Sequence, residues 1–176
     1  MFILYGLLVG LIAGFALGGR LENLAGVRFR LGPLAVVALA IQLALFSPLG
    51  DGIPDDLGRA AYVASTALVG VVVLANLRLA GVPLIAIGAA LNLLAIVANG
   101  GAMPASPAAL AALGFGVDGN TNSVIVADPA LAALTDVFAM PAWLPLANVF
   151  SIGDVLIGCG LAVAVAGAMR TGSRPA

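Results

Sequence analysis

Two aspartates near the end of the chain are the residues whose type and spacing could support chemistry. Asp154 lies five residues inside an apolar run that begins near Val149, and Asp136 precedes it by 18 residues. A carboxylate within a membrane segment is a functional-site hypothesis by default. Two carboxylates held close together cannot both ionise, so one keeps its proton and the pair can activate a water molecule. Asp136 and Asp154 are therefore the candidate catalytic residues, as an aspartic dyad.

The composition removes most other catalytic chemistry. The 176-residue chain has no histidine, its basic residues are seven arginines, and its one cysteine is Cys159. The usual general base, the Schiff-base nucleophile and the usual axial ligand of haem are therefore missing. One cysteine cannot form a disulfide within the chain or a cysteine zinc site. The net charge of -1 offers no basic surface for a nucleic acid, so we expect no metal, no cofactor and no nucleic-acid partner.

Hydropathy places these aspartates in a membrane protein. Hydrophobic residues make up 62% of the chain and charged residues 9%, against about 25% charged residues in soluble domains. A helix needs roughly 20 apolar residues to cross a bilayer, and five charge-free runs approach that length. Pro33 and Pro83 stand in the first turn of two runs, where proline is tolerated. The sequence predicts an all-α integral membrane protein, a single membrane domain over 1–176 built as a bundle of five transmembrane helices, with spans at about 2–18, 33–49, 60–77, 83–98 and 149–169.

The arginines predict the orientation of the spans. Connections on the cytoplasmic side carry the excess of positive charge. Six of the seven arginines fall on one side of the predicted bundle, and Arg59 alone falls on the other, among six aspartates. We expect a multi-pass protein of the bacterial plasma membrane with its N-terminus outside and its C-terminus in the cytoplasm. The six arginines are Arg20, Arg28, Arg30, Arg78, Arg170 and Arg174, and the six aspartates are Asp51, Asp55, Asp56, Asp118, Asp128 and Asp136.

The connection before the last span, 100–148, is the longest and least hydrophobic, and we expect it to cap the external ends of the spans. Two stretches in it, starting at Ser106 and Asp128, each place a capping residue before a proline and a short apolar turn. Both stretches are predicted to be short helices. Between them, 116–122 has the composition of a turn and 123–126 that of a brief strand.

The first span carries a glycine at every fourth position, which predicts a bare face along one side of the helix. Small residues let helices approach closely in lipid, where van der Waals packing drives their association. This face packs against a neighbouring span of the same chain, or it forms the interface of a homodimer or of a complex with another membrane protein. The glycines are Gly6, Gly10, Gly14 and Gly18.

Two asparagines, Asn92 and Asn99, lie seven residues apart on the fourth span, which places them on the same helix face. Amide groups in hydrocarbon are costly unless they are paired, so this face is predicted to look into the bundle. It either forms interhelical hydrogen bonds or provides the polar wall of a binding site. Gln42 and Asn76 are isolated and are predicted to be structural.

The residues around the two aspartates resemble those of a known family. The stretch 134–138, followed by 148–158, is similar to the closing segment of the lipoprotein signal peptidases. Those proteins are aspartic peptidases that cleave prolipoproteins at the outer surface of the membrane. The resemblance implies that Asp136 and Asp154 form the catalytic dyad.

A second resemblance covers nearly the whole chain. The stretches 92–94, 98–104 and 148–157 are similar to those of a family of small bacterial integral-membrane proteins classed as a domain of unknown function. This resemblance carries no activity with it. The candidate binding residues are Asn92, Asn99, Asn148 and Ser151.

Three functional classes remain open. A non-catalytic membrane protein, either an assembly partner or a protein that binds membrane lipid, is favoured by the glycine face and the shortage of reactive groups. An aspartic hydrolase acting at the outer interface needs Asp136 and Asp154 to lie within reach of one water molecule. A transporter has little support, since five spans give no inverted repeat. In the structural alternative, Asp154 caps its helix or pairs with Asn99, and Asp136 is an exposed loop acid.

Overall fold

The structure, a computed structural model, describes residues 2–50, 52–114 and 123–171. The described part is mostly helical, with five long α-helices and a short one. In chain order these are α1 Phe2–Ala16, α2 Gly32–Leu45, α3 Asp55–Ala75, α4 Val82–Ala98, α5 Pro107–Ala112 and α6 Ile152–Arg170. Short 3-10 helices form at Leu21–Gly26, Pro48–Gly50 and Ala132–Leu134.

The described residues of the segment between α4 and α6, 99–114 and 123–151, form four short strands: β1 Met103–Pro104, β2 Ser123–Val124, β3 Phe138–Ala139 and β4 Val149–Phe150. β1 runs parallel to β2, and β3 runs antiparallel to β4. An isolated bridge between Ala105 and Asp136 joins the two pairs. We call residues 99–151 the α4–α6 segment. Its described residues fold back on themselves through these strand pairs at one end of the bundle.

The glycine face of α1 packs against α6. Gly6 lies against Gly158 and Gly14 lies against Met169, so the two helices run in the same direction. A Cβ atom added at Gly10 would lie 2.9 Å from backbone atoms of α6, which is too close for packed carbon atoms. The face therefore serves packing within the chain, the first of its two predicted roles. A homodimer through the same face would require α6 to move away.

α6 makes a second close contact, with α4. Gly81, the residue before α4, lies against Gly160 of α6, and Gly88 within α4 lies against Gly153, so these two helices are antiparallel. Backbones approach this closely only where neither helix carries a side chain. α6 thus lies between α1 and α4, and the helices pack in the order α2, α3, α4, α6, α1.

Polar side chains on α2 and α3 find partners within the chain. Gln42 Nε2 donates to the hydroxyl oxygens of Ser65 and Thr66, both at 3.3 Å. Asn76 follows α3, where its Nδ2 donates to the carbonyl oxygen of Arg30 and its Oδ1 accepts from the Arg30 N–H, both at 2.8 Å. The structural roles predicted for Gln42 and Asn76 are confirmed.

Two helices, α3 and α6, are long and apolar enough to cross a membrane. α1, α2 and α4 are apolar but hold 15, 14 and 17 residues, or about 21–26 Å at about 1.5 Å per residue. Large apolar side chains cover much of the outside of the bundle, and many of the buried residues on its helices are small. Val36 of α2 is 67% exposed, for example, whereas Ala38 is fully buried. This distribution is typical of helices that are surrounded by hydrocarbon.

The bounds of α3 and α6 differ from the predicted spans. α3 begins at Asp55 rather than near 60, because acidic residues are favoured in the first turn of a helix even where the apolar run has not begun. α6 begins at Ile152 rather than at 149, because the two residues predicted to start it are paired in β4.

The helices α1 and α2 are shorter than the predicted spans. α1 ends at Ala16, before Gly18, which has a φ of +77° and open space around it. Gly18 is therefore not part of the packed glycine face. α2 ends at Leu45 rather than near 49, since the chain continues into the 3-10 turn at Pro48–Gly50. The fourth span, predicted over 83–98, agrees closely with α4.

One of the two short helices predicted in the α4–α6 segment is confirmed. The helix predicted after Ser106 is α5. The stretch after Asp128 forms a 3-10 helix, Ala132–Leu134, but the predicted helix start at Asp128 is wrong, because the chain bends there. Leu131 has a φ of +53°, which no right-handed helix contains. Both backbone polar groups of Ala130 are bonded to a distant side chain, so they are not available to a helix.

The strand predicted over 123–126 is confirmed for the two residues of β2. The turn predicted at 116–122 lies outside the described residues. Asp51, Asp118 and Arg174, which belong to the predicted charge pattern, also lie outside them.

We expect Gly10→Ala to destabilise the protein, because the added Cβ meets the backbone of α6, which cannot yield without separating the helices. Overpacking of this kind costs about 1–3 kcal/mol. Gly70→Ala on α3 is the matched control, since nothing lies within 4 Å of a Cβ at that position. Thermal unfolding in dodecylmaltoside micelles should give a lower Tm for Gly10→Ala than for Gly70→Ala. Equal Tm values would contradict the packing role of the α1 face.

Candidate functional site

Ser151 and Asp154 open α6 with a capping box. Ser151 is the N-cap residue, and its Oγ accepts a hydrogen bond from the Asp154 N–H at 3.0 Å. Asp154 Oδ2 in turn accepts from the Ser151 N–H at 3.1 Å. A serine with an acid three residues later satisfies N–H groups that have no partner within the helix. The capping role predicted as the alternative for Asp154 is confirmed.

Asn92 of α4 joins this cap and links the two helices. Its Nδ2 donates to Asp154 Oδ1 at 2.9 Å, and its Oδ1 accepts from the Ser151 hydroxyl at 2.8 Å. Gly153 leaves the necessary room, because a Cβ there would overlap Asn92 Oδ1. We call Asn92, Ser151 and Asp154 the Asn92 cluster. It confirms the interhelical hydrogen bonding predicted for Asn92, and it gives Asp154 a different partner from the predicted Asn99.

The polar side-chain atoms of the Asn92 cluster form hydrogen bonds within the protein. Asp154 places one carboxylate oxygen on Asn92 and the other on Ser151. Within the described residues, no buried side-chain nitrogen or oxygen lacks a hydrogen-bond partner. The same part of the chain contains no group of three or more acidic or cysteine side chains that could hold a metal ion.

Asp136 lies in the α4–α6 segment and is only 7% exposed, so it is not the exposed acid of the alternative interpretation. Its N–H donates to the carbonyl oxygen of Pro104 at 3.0 Å, and its own carbonyl oxygen accepts from the Ser106 N–H at 2.9 Å. Tyr62 of α3 is close enough to interact electrostatically with both Asp136 and Asp154. The structure thus brings the two aspartates near one phenol. The catalytic dyad stays a prediction.

Asn99 ends α4 and holds the α4–α6 segment. Its Nδ2 donates to the carbonyl oxygen of Ala130 at 2.9 Å and to that of Ala95 at 2.8 Å. Its Oδ1 accepts from the Ala130 N–H at 2.9 Å. One side chain therefore binds both backbone polar groups of a residue that lies 31 positions later in the sequence.

Asn148 lies at the edge of the β3–β4 pair. Its carbonyl oxygen accepts from the Met140 N–H at 3.1 Å. Three of the four candidate binding residues, Asn92, Asn99 and Ser151, are thus engaged in hydrogen bonds that fold the chain.

An open cavity of about 410 Å³ lies beside Tyr62, at the same end of the bundle. Two opposite charges line it, Arg59 and Asp55, together with apolar side chains and glycines. Phe46 forms one wall and contacts Tyr62 edge to face, with ring centroids 5.4 Å apart. The α4–α6 segment contributes Gly101, Ala102 and Val124 to the lining. We call this the Arg59 cavity.

A second cavity, of about 470 Å³, follows α3 and α4 from the same arginine. Arg59 and Gly101 line both cavities, which therefore meet at these two residues. We call the second cavity the α3/α4 groove. Apart from Arg59 its lining is apolar and consists of Ala60, Val63, Ala64, Ala67, Val97, Gly100 and Gly101.

Sequence reasoning did not assign Arg59, Asp55 or Tyr62 to a site. A signal existed for Arg59, since it is the one arginine on the opposite side from the other six. Asp55 stands four residues earlier, and side chains at that spacing are neighbours on a helix. No sequence signal identifies Tyr62, because its surroundings come from segments that are distant in the chain.

The model of a family of unknown function matches residues 26–166, which reach from the first connection into α6. This chain belongs to that family, DUF5317. The membership in a family of unknown function that the sequence resemblance implied is confirmed. The matched range contains the stretches 98–104 and 148–157 of this DUF5317 protein. Neither a curated protein nor a solved structure matches the DUF5317 chain.

The stretch 98–104 of the DUF5317 protein has a structural explanation. After Asn99, Gly100 and Gly101 have φ values of +73° and +92°, which glycine adopts without steric cost. A Cβ at Gly101 would lie 3.2 Å from the Cβ of Arg59. The two glycines therefore turn the chain from α4 into β1 and let the turn rest directly on Arg59.

We expect Asn92→Ala and Asp154→Ala to be non-additive in the DUF5317 protein, because each substitution removes the partner of the other residue. Each alone should lower the free energy of unfolding by about 1.5–3 kcal/mol, the range for hydrogen bonds to charged groups. A double-mutant cycle in detergent should give a coupling of about 0.5–3 kcal/mol. Asn92→Ala combined with Asn76→Ala, at the other end of the bundle, is the additive control. Additivity of the first pair within about 0.5 kcal/mol would contradict the Asn92 cluster.

Proposed function

We propose that this DUF5317 protein is a non-catalytic membrane protein that binds membrane lipid at the end of the bundle where the α4–α6 segment lies. The observation that carries the proposal is that two open cavities meet at Arg59. One of them is lined by two charged side chains, and the lining of the other is apolar apart from Arg59. A lipid needs this combination, because its head group is polar and its acyl chain is not.

The five long helices are proposed to cross the bacterial plasma membrane. α1, α2 and α4 are shorter than the roughly 20 residues that a span needs, but exposed apolar residues continue beyond the ends of α1 and α2. Leu17 after α1 is 58% exposed and Leu49 after α2 is 80% exposed. Short apolar helices are also accommodated by local thinning of the bilayer, at a modest cost.

The N-terminus is proposed to lie outside and the C-terminus in the cytoplasm. The Arg20 N–H donates to the carbonyl oxygen of Met169 at 2.8 Å, so the end of α1 and the end of α6 lie together. The pairing of Arg30 with Asn76 belongs to the same end. Arg59 lies at the other end, and cytoplasmic connections carry most of the positive charge.

Binding is favoured over catalysis because the acids with catalytic potential already have structural partners. Both oxygens of Asp154 accept hydrogen bonds within the Asn92 cluster. Neither Asp136 nor Asp154 is among the described residues that line the Arg59 cavity or the α3/α4 groove. The charges that do face these cavities belong to Arg59 and Asp55, which can hold a head group without reacting with it.

We expect phospholipid to stabilise the purified protein. A ligand that binds only the folded state adds about 2.7 kcal/mol of stability at 100 times its Kd. The measurement is the Tm in dodecylmaltoside after removal of endogenous lipid, with phosphatidylethanolamine or phosphatidylglycerol added to the micelles. The control adds the same mole fraction of a second alkyl maltoside instead. A Tm that neither phospholipid raises above this control would contradict lipid binding.

A second candidate function is aspartic hydrolysis at the outer interface, and one observation favours it. Asp136 and Asp154 both interact electrostatically with Tyr62, so they lie in the same region of the structure. Two acids that share a region can divide the roles of acid and base between them.

We expect no cleavage of a lipid-modified prolipoprotein signal peptide by the protein reconstituted in vesicles, because the Asp154 oxygens are held by Asn92 and Ser151. Product formation is followed by mass spectrometry. Cleavage that is lost in both Asp136→Asn and Asp154→Asn, but kept in Asp128→Asn, would establish the hydrolase and overturn the non-catalytic proposal.

A further inference from the structure

The α3/α4 groove has the form of an acyl-chain site. Its residues on α3, Ala60, Val63, Ala64 and Ala67, follow the spacing of a single helix face. They span about 10 Å at about 1.5 Å per residue. The three alanines are exposed, so the groove is open on the surface of the bundle. Larger side chains at these positions would fill it.

The Arg59 cavity carries one positive and one negative charge. Arg59 and Asp55 stand one helical turn apart on α3, and both line the cavity. Among the described residues neither of them forms an ion pair, whereas Arg20 and Glu22 do, at 3.4 Å. Two opposite charges that face one cavity without neutralising each other are complementary to a ligand that itself carries both signs.

The surroundings disfavour a ligand with a net negative charge. Asp55 lines the cavity itself, and Asp128 lies exposed in the α4–α6 segment at the same end of the bundle. These carboxylates outnumber the single arginine and repel an anionic head group. A zwitterionic head group has no net charge and avoids most of this repulsion.

We propose that this site binds a phospholipid with a zwitterionic head group, an inference that rests on the lipid-binding function proposed above. The phosphate lies on the Arg59 guanidinium, and the ammonium group lies on the Asp55 carboxylate. One acyl chain lies in the α3/α4 groove. Gly101 belongs to both cavities and joins them, because it has no side chain that could separate the head-group site from the groove.

The first test measures which charged side chain of the protein binds which charged group of the lipid. Apparent affinities come from the rise in Tm with added phosphatidylethanolamine or phosphatidylglycerol of matched acyl chains. Wild type should prefer phosphatidylethanolamine by about threefold or more, as expected for one additional partly exposed ion pair. Arg59→Gln should weaken both lipids by a similar factor. Asp55→Asn should weaken only phosphatidylethanolamine and so remove the preference.

Two matched controls carry the same change in charge outside the cavity. Arg78→Gln lies at the opposite end of the bundle, and Asp56→Asn is adjacent to Asp55 but does not line the cavity. Both should keep the wild-type affinities and preference. Asp55→Asn and Asp56→Asn each remove one acidic charge from the first turn of α3, so these two variants should have similar Tm values without lipid. Equal or better binding of phosphatidylglycerol by wild type, or an Arg59→Gln variant that binds like wild type, would overturn the proposal.

The second test concerns the acyl chain. Ala64→Phe fills the α3/α4 groove and should weaken phosphatidylethanolamine, whereas Val71→Phe, an exposed position of α3 outside the groove, should not. Glycerophosphoethanolamine, the head group without chains, should not raise the Tm at the same concentrations. Full stabilisation by the head group alone would contradict the binding of an acyl chain in the α3/α4 groove. If both phospholipids stabilise wild type equally, this proposal fails and lipid binding stands; if neither does, lipid binding itself fails.

Discussion

The hydrogen bonds that Asn92 makes to Ser151 and Asp154 are the interaction on which the rest of the structure depends. In hydrocarbon a polar group has no water to bond, so every amide and carboxylate must find a partner within the protein. The Asn92 cluster satisfies three side chains at once and fixes the start of α6 against α4. α6 then carries glycines on two sides, where α1 and α4 pack against its backbone. Loss of the junction would release the central helix of the bundle and the end of the α4–α6 segment that leads into it.

Asparagine performs a second, repeated task at the ends of helices. Asn76 follows α3 and Asn99 follows α4. The side chain of each donates to the carbonyl oxygen four residues earlier. Each side chain also binds the N–H and the carbonyl oxygen of one residue in a distant connection. One of these amides fastens the first connection at Arg30, and the other fastens the α4–α6 segment at Ala130. Because Asn99 sets where the segment lies, it also sets the position of the glycine turn that rests on Arg59. The Arg59 cavity therefore depends on a residue that does not line it.

Charged side chains at this end of the bundle fall into two groups: one has hydrogen-bond partners within the protein, and the other has none among the described residues. At the junction of α4 and α6, each oxygen of the Asp154 carboxylate accepts a hydrogen bond. At the surface of the same end, Arg59 and Asp55 face an open cavity without pairing with each other or with another described residue. Partnered groups hold a fold together, whereas unpartnered groups beside an apolar groove are available to a ligand. For a DUF5317 protein with so few charged residues, this contrast is the main guide to function.

Local patterns determined part of this protein without any tertiary information. Apolar runs gave the positions of the helices, a serine followed by a proline gave α5, and the every-fourth glycines gave the contact face of α1, because each of these signals acts within one or two turns. The capping role of Asp154 was visible for the same reason. Tertiary structure alone decided that Ala130 would be held by Asn99 and could not begin a helix, that Asp136 would be buried, and that Asp154 would pair with Asn92. The Arg59 cavity also forms only in the tertiary structure, because its lining comes from positions as distant as Phe46 and Val124. Such contacts depend on how the helices pack and how the connections fold back, and the spacing of neighbouring residues does not predict that geometry.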